Sequence, residues 1–132
     1  DEWAYLCGGG CRTLFPWGDG LDYKMKLHHF EREEEQGKSY DIEQANFFGL
    51  SIAYDPYKRE LVDGKTLTTC GGDGGCNICG GMGPLLGYLP CSPHCKPEVR
   101  EDNEIHNDYD FFRPVIRVQT SGWRIVSPEN EW

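Results

Sequence analysis

Seven cysteines fall into three groups on this chain: Cys7 with Cys11, Cys70 with Cys76 and Cys79, and Cys91 with Cys95. The run Cys76-x2-Cys79-x11-Cys91-x3-Cys95 has the layout of a four-thiolate zinc site, two short-range pairs each gripping one side of a tetrahedron. The glycines between Cys70 and Cys76, and those after Cys79, supply the positive φ angles that such tight turns need. A second ion is expected on Cys7, Cys11 and Cys70 together with His28 or His29. Adjacent side chains of a strand face opposite ways, so only one of those two histidines can reach a metal. An alternative partition leaves Cys76 and Cys79 with the N-terminal half and gives Cys91 and Cys95 the histidines His106 and His94. Spacing alone does not choose between the partitions.

Parity bears on the chemistry. Seven thiols and one histidine make eight ligands, enough for two four-coordinate ions, whereas disulfides leave one thiol over. Structural zinc is therefore expected, as two ions. A module of roughly 60 residues buries too little apolar surface to be stable alone, and zinc supplies on the order of 10 kcal/mol of folding free energy.

The chain has 132 residues, enough for one ordinary domain or two very small ones. Apolar residues at 38% and charged ones at 27% place it among globular proteins. Seventeen glycines and eight prolines favour strands and turns over long helices. Thirteen basic against 22 acidic side chains give a net charge of −9. That balance disfavours nucleic acid and anionic membrane surfaces, whose phosphates are bound by lysine and arginine. No run approaches the ~20 apolar residues of a membrane span. The chain opens Asp1-Glu2-Trp3 without a methionine, which is read as a mature or trimmed product; an excised secretory signal is compatible with this but leaves no trace in the sequence. It carries no Asn-x-Ser/Thr sequon.

An internal repeat is visible. Tyr5-Leu6-Cys7 with Cys11 resembles Tyr88-Leu89 with Cys91 and Cys95, and Phe47-Phe48 with its following residues lies over Phe111-Phe112 without a gap. Phe48, Leu50, Ile52 and Tyr54 alternate with a period of two, as do Phe112, Pro114, Ile116 and Val118. Each run reads as the first strand of a hairpin, with return strands at Leu61-Val62 and Ile125-Val126. Asp63-Gly64 signals a further turn into a strand from Lys65 to Thr69 that delivers Cys70. Residues 21–30 alternate as an added strand, and the acidic run 31–37 reads as a solvated turn. The expected fold is all-β: two tandem, related antiparallel modules, residues 1–80 and 84–132, each tied by structural zinc, with Gly80 to Pro84 as hinge. If the repeat holds, Ile52 and Ile116 occupy equivalent buried strand positions.

A catalytic zinc needs an open coordination position and a neighbouring carboxylate base. The candidates are His28 with Glu31 or Glu33, and His106 with Asp102, Glu104 or Asp108. Neither has the His-Glu-x-x-His spacing, and acidic loops of this kind are commonly just solvated. Cys76 and Cys79 lack the βαβ surroundings of a redox dithiol. A non-enzymatic protein-interaction module is the reading that follows. A small zinc hydrolase using His28 or His106, or a disulfide-stapled extracellular binding protein, stands as the alternative. Trp3, Tyr5, Phe15, Trp17, Trp123 and Trp132 fill small cores or cover strand edges, and a subset can anchor a partner protein.

Tyr5-Leu6-Cys7, close to the N-terminus, resembles the aromatic-x-Cys signature of effector candidates from rust and powdery mildew fungi. The two-copy layout of cysteine pairs and Phe-Phe hairpins is similar to the two-module zinc-binding avirulence effectors of cereal rusts. The likeness spans the whole chain in architecture and rests on no long matching motif. It implies a monomeric, non-enzymatic protein, secreted by the pathogen and moved into the host cytoplasm, with host proteins as partners and recognition by an intracellular immune receptor. Reducing conditions there favour zinc thiolates over disulfides.

Overall fold

Thr68, Thr69 and Val62 carry the β-branched side chains that suit a pleated sheet, and Asp63-Gly64 starts the turn between them. In a computed structural model of the chain, describing residues 2–22, 24, 25, 27 and 40–119, β1 (Arg59–Val62) and β2 (Thr68–Cys70) pair antiparallel. Glu60 stands opposite Cys70, Leu61 opposite Thr69 and Val62 opposite Thr68. β3 (Glu98–Val99) adds antiparallel to β2, and β4 (Asp110–Phe112) adds parallel to β1. The order β3-β2-β1-β4 makes one mixed four-stranded sheet among the described residues. Strands from both sides of Gly80 to Pro84 thus share one sheet.

The fold is sheet-rich but not all-β. The chain is helical over α1 (Glu2–Gly8), α2 (Cys76–Cys79) and α3 (Gly83–Tyr88), followed by a 3₁₀ turn at Leu89–Cys91. Ala4 and Leu6 are good helix formers, and α1 stops where Gly9 and Gly10 take φ of 56° and 80°. Pro84 lies in the first turn of α3, where its missing N–H costs no hydrogen bond. Glycine punctuation, read as turns alone, also accommodates these one- and two-turn helices.

The paired runs of the repeat differ in structure. Asn46 Oδ1 accepts from the N–H groups of Phe48 and Leu50 at 3.0 and 3.1 Å, which coils 46–50 into a turn instead of a strand. Ala53 then takes φ of 54°, a left-handed backbone that no strand interior tolerates. In the second run the ladder ends at Phe112, just before Pro114, which cannot donate to a neighbour. Ile52 is 4% exposed and Ile116 is 89% exposed, so the two are not equivalent positions. Both matched cysteine-bearing stretches, ending at Cys7 and at Cys91, are helical. His28, His29, the acidic turn 31–37, the return strand Ile125-Val126, Trp123 and Trp132 lie outside the described residues, as do positions 23, 26 and 30 of the expected 21–30 strand. The described part of that strand is instead a turn closed by the Met25 N–H on the Asp22 carbonyl at 3.0 Å.

The core gathers Phe15, Leu27, Ile42, Tyr88 and Cys91. Trp17 stacks on Phe15 with ring centroids 4.6 Å apart and meets Tyr88 edge-on at 6.2 Å. A cysteine, not an aliphatic side chain, closes this cluster, and it is the residue through which the core reaches the candidate site.

Candidate metal centre

Cys7 ends α1, Cys70 ends β2, and Cys91 ends the 3₁₀ turn, and all three point inward. Cys7 and Cys91 are 0% exposed and Cys70 is 7% exposed. The Cys91 thiol donates to the carbonyl of Gly71, the residue after Cys70, at 2.9 Å. The Cys7 thiol donates to the Cys91 carbonyl at 3.9 Å. Cys95 returns toward Cys91 around a turn in which its N–H bonds to the Ser92 carbonyl at 3.1 Å. Its side chain reaches the surface, so it stands at the rim of the same group.

Burial raises all four thiols. Burial pushes the Cys7 thiol up to about 12, with the Glu60 carboxylate and Cys70 adding to the effect and Arg113 opposing it. Burial also raises Cys70 to about 11, helped by Glu60 and by Cys95. Cys91 is held well above the usual thiol range by burial, then by Asp55, Cys7, Asp73 and Cys95. Cys95 is raised by burial and by Asp73, against a backbone hydrogen bond at Lys96. These thiols are therefore protonated at neutral pH unless a cation displaces their protons, and the three buried ones are shielded from reagents.

Asp73 is the residue that cysteine spacing does not single out. Its Oδ2 accepts from the Asn77 N–H at 3.1 Å and so caps α2, while its buried Oδ1 has no partner. Position in the middle of the Cys70-x5-Cys76 loop is the one sequence signal that could have marked it. The glycines on either side of it let the loop press on the 55–58 turn: the N–H groups of Asp73 and Gly75 both bond to the Pro56 carbonyl at 3.1 Å. A Cβ at Gly72 would stand 2.3 Å from the Lys58 carbonyl oxygen.

The other expected ligands lie elsewhere. Cys76 and Cys79 are exposed on α2, and the Tyr57 hydroxyl sits 3.6 Å from the Cys79 sulfur. That hydrogen bond is the main reason the Tyr57 phenol rises to about 12. Cys11 is exposed. The His94 ring nitrogen Nε2 contacts the Thr13 carbonyl at 3.1 Å. His106 stands 3.7 Å from Asp102 within an ion-pair network. There Arg59 Nε donates to Asp110 Oδ1 at 2.7 Å and Arg100 lies 3.5 Å from Asp110 Oδ2. Arg100 also pairs with Asp102, so of the three carboxylates expected as bases beside His106 one is held by an arginine. A cleft of about 230 Å³ beside Gly71 holds Glu60 and Arg113, which pair at 3.0 Å.

Among the described residues, no three cysteine, histidine, aspartate or glutamate side chains already stand in ligating geometry. Ligation at the buried group requires the sulfurs to turn away from the carbonyls they now face. The donor chemistry does fit zinc: soft thiolates select it, and an unpartnered buried carboxylate oxygen beside them favours a cation.

No family model, no curated protein and no solved structure matches this chain. Among the described residues no helix is long and apolar enough to cross a membrane.

Proposed function

We propose that this chain is a non-enzymatic protein-interaction module whose fold is secured by thiolate-bound zinc. It acts as a monomer, secreted by a plant pathogen and carried into the host cytoplasm, with host proteins and an intracellular immune receptor as partners. In this reading the stretches 1–80 and 84–132 work as one interlocked unit, because a single sheet draws strands from each.

The observation that carries the reading is a held, solvent-facing aromatic group. Phe47 is 84% exposed at the tip of the 46–50 turn. Its ring lies 5.8 Å from that of Phe48, which in turn lies 5.2 Å from Tyr5 of α1. The Asn46 amide donates to the Leu6 carbonyl at 2.7 Å, pinning the turn to the helix. Presenting large rings without conformational freedom removes part of the ordering cost of association, and such rings are enriched among binding hot spots. The acidic net charge of −9 suits a basic or neutral protein surface rather than nucleic acid.

The test is affinity capture from host leaf extract, comparing the native chain with a Tyr5→Ala/Phe47→Ala variant of unchanged melting temperature. Host proteins retained by the native chain and lost by the variant are the expected result. Equal retention by both removes these rings from the contact surface, and retention of nothing specific by either overturns the interaction reading.

A further inference from the structure

We propose that Cys7, Cys70, Cys91 and Cys95 together hold a single zinc ion, with Cys95 as the exposed ligand that closes the site. This rests on the structural-zinc reading above and reassigns its ligands. The spacing-based quartet takes Cys76 and Cys79, but these stand exposed on α2. Three buried thiols instead come from the ends of α1, β2 and the 3₁₀ turn, and Cys95, itself exposed, joins them because it shares the Cys91–Cys95 turn with one of the three.

Hydrogen bonds define the juxtaposition. Cys91 reaches the Gly71 carbonyl at 2.9 Å, beside Cys70, and Cys7 reaches the Cys91 carbonyl at 3.9 Å. The turn closed by the Cys95 N–H on the Ser92 carbonyl at 3.1 Å brings the chain back after Cys91, so two cysteines of one short segment can reach one ion. Asp73 contributes a second observation: a buried carboxylate oxygen without a partner, in the loop that leads from Cys70 to α2. Disulfides among these cysteines would leave that oxygen as it is, whereas a nearby cation or a metal-ordered donor satisfies it. Binding is a proton exchange without redox chemistry: one Zn²⁺ enters, the four thiols become thiolates, and four protons leave to solvent.

Cys95 makes the proposal testable, because its exposure lets it report metal without disturbing the core. The full chain, purified reduced, is alkylated with N-ethylmaleimide in one equivalent of zinc or in chelator, and labelled cysteines are mapped by mass. Cys95 is expected to be protected by zinc and labelled in chelator, with Cys11, Cys76 and Cys79 labelled in both. Cobalt(II) replaces zinc in a parallel titration, read by its thiolate charge-transfer and tetrahedral d–d absorption. Cys95→Ser is expected to weaken cobalt binding by more than the roughly 10–100-fold that loss of an outer hydrogen-bonding partner costs. Cys76→Ser/Cys79→Ser is expected to leave it unchanged.

Equal labelling of Cys95 with and without zinc overturns the proposal. Cobalt retained by Cys95→Ser but lost by Cys76→Ser/Cys79→Ser overturns this ligand set and leaves structural zinc standing elsewhere. A native chain that binds no cobalt, with a non-reduced mass two units lower for each disulfide, overturns the zinc reading as a whole.

Discussion

Gly75 adopts φ of 80° at the start of α2, and a Cβ there would stand 2.1 Å from a carbon of the Tyr57 ring. Gly75→Ala therefore combines backbone strain with a collision against an aromatic ring wedged beside Pro56. The expected loss is about 2–4 kcal/mol in urea unfolding. Gly81 has nearly the same backbone, φ of 73°, but open space around it, so Gly81→Ala should cost only the strain, about 1–2 kcal/mol. Equal losses at the two positions would mean that contact with Tyr57 contributes nothing. The sequence reading recognised these glycines as turn-formers. What they approach, Pro56 and Tyr57 from an earlier stretch, is a tertiary fact that local composition does not hold. The same holds for Asp73, which a one-dimensional reading leaves as a polar residue between ligands.

At the scale of elements, β4 depends on charge as well as on its ladder. Asp110 is buried between Arg59 of β1 and Arg100, and its Oδ2 also accepts the His106 N–H at 2.7 Å. Asp110→Asn keeps the shape and leaves the largely buried Arg59 guanidinium without its carboxylate, while Arg100 keeps Asp102. Breaking one side of such a buried pair costs about 3–5 kcal/mol. Hydrogen exchange over residues 110–112 should rise together with the drop in urea midpoint; unaltered protection would show that the ladder alone holds the strand. The strand ending at Leu61-Val62 was legible, whereas the strand expected from Lys65 begins only at Thr68, after the connection 63–67, and runs on to Cys70. The Phe48 to Tyr54 run was misread for a definite reason. Its alternation of large residues is real, but the Asn46 side chain takes the N–H groups of Phe48 and Leu50 away from any ladder. Periodicity reports side-chain size and is blind to such local competition for backbone groups. Parallel pairing of β4 with a strand some fifty positions earlier leaves no mark in either segment.

Across the whole molecule, the buried thiols link folding to proton and metal at once. A thiol whose folded pKa stands above its ordinary 9.0 binds its proton more tightly in the folded chain than in the unfolded one. Its contribution to stability is complete below pH 9.0 and is withdrawn as pH climbs toward about 11 for Cys70 and about 12 for Cys7. Reduced, chelated protein should therefore show a level melting temperature up to about pH 9 and a steady fall above it. The phenols of Tyr54 and Tyr57 also titrate late and contribute to any alkaline decline, but they do so equally in both metal states. The informative quantity is thus the difference between zinc-loaded and chelated protein. Thiolates already formed on a metal have no proton left to lose, so the loaded chain should decline less than the chelated chain through this range. Parallel curves in the two states would separate the buried thiols from metal and leave burial alone to account for their place in the core.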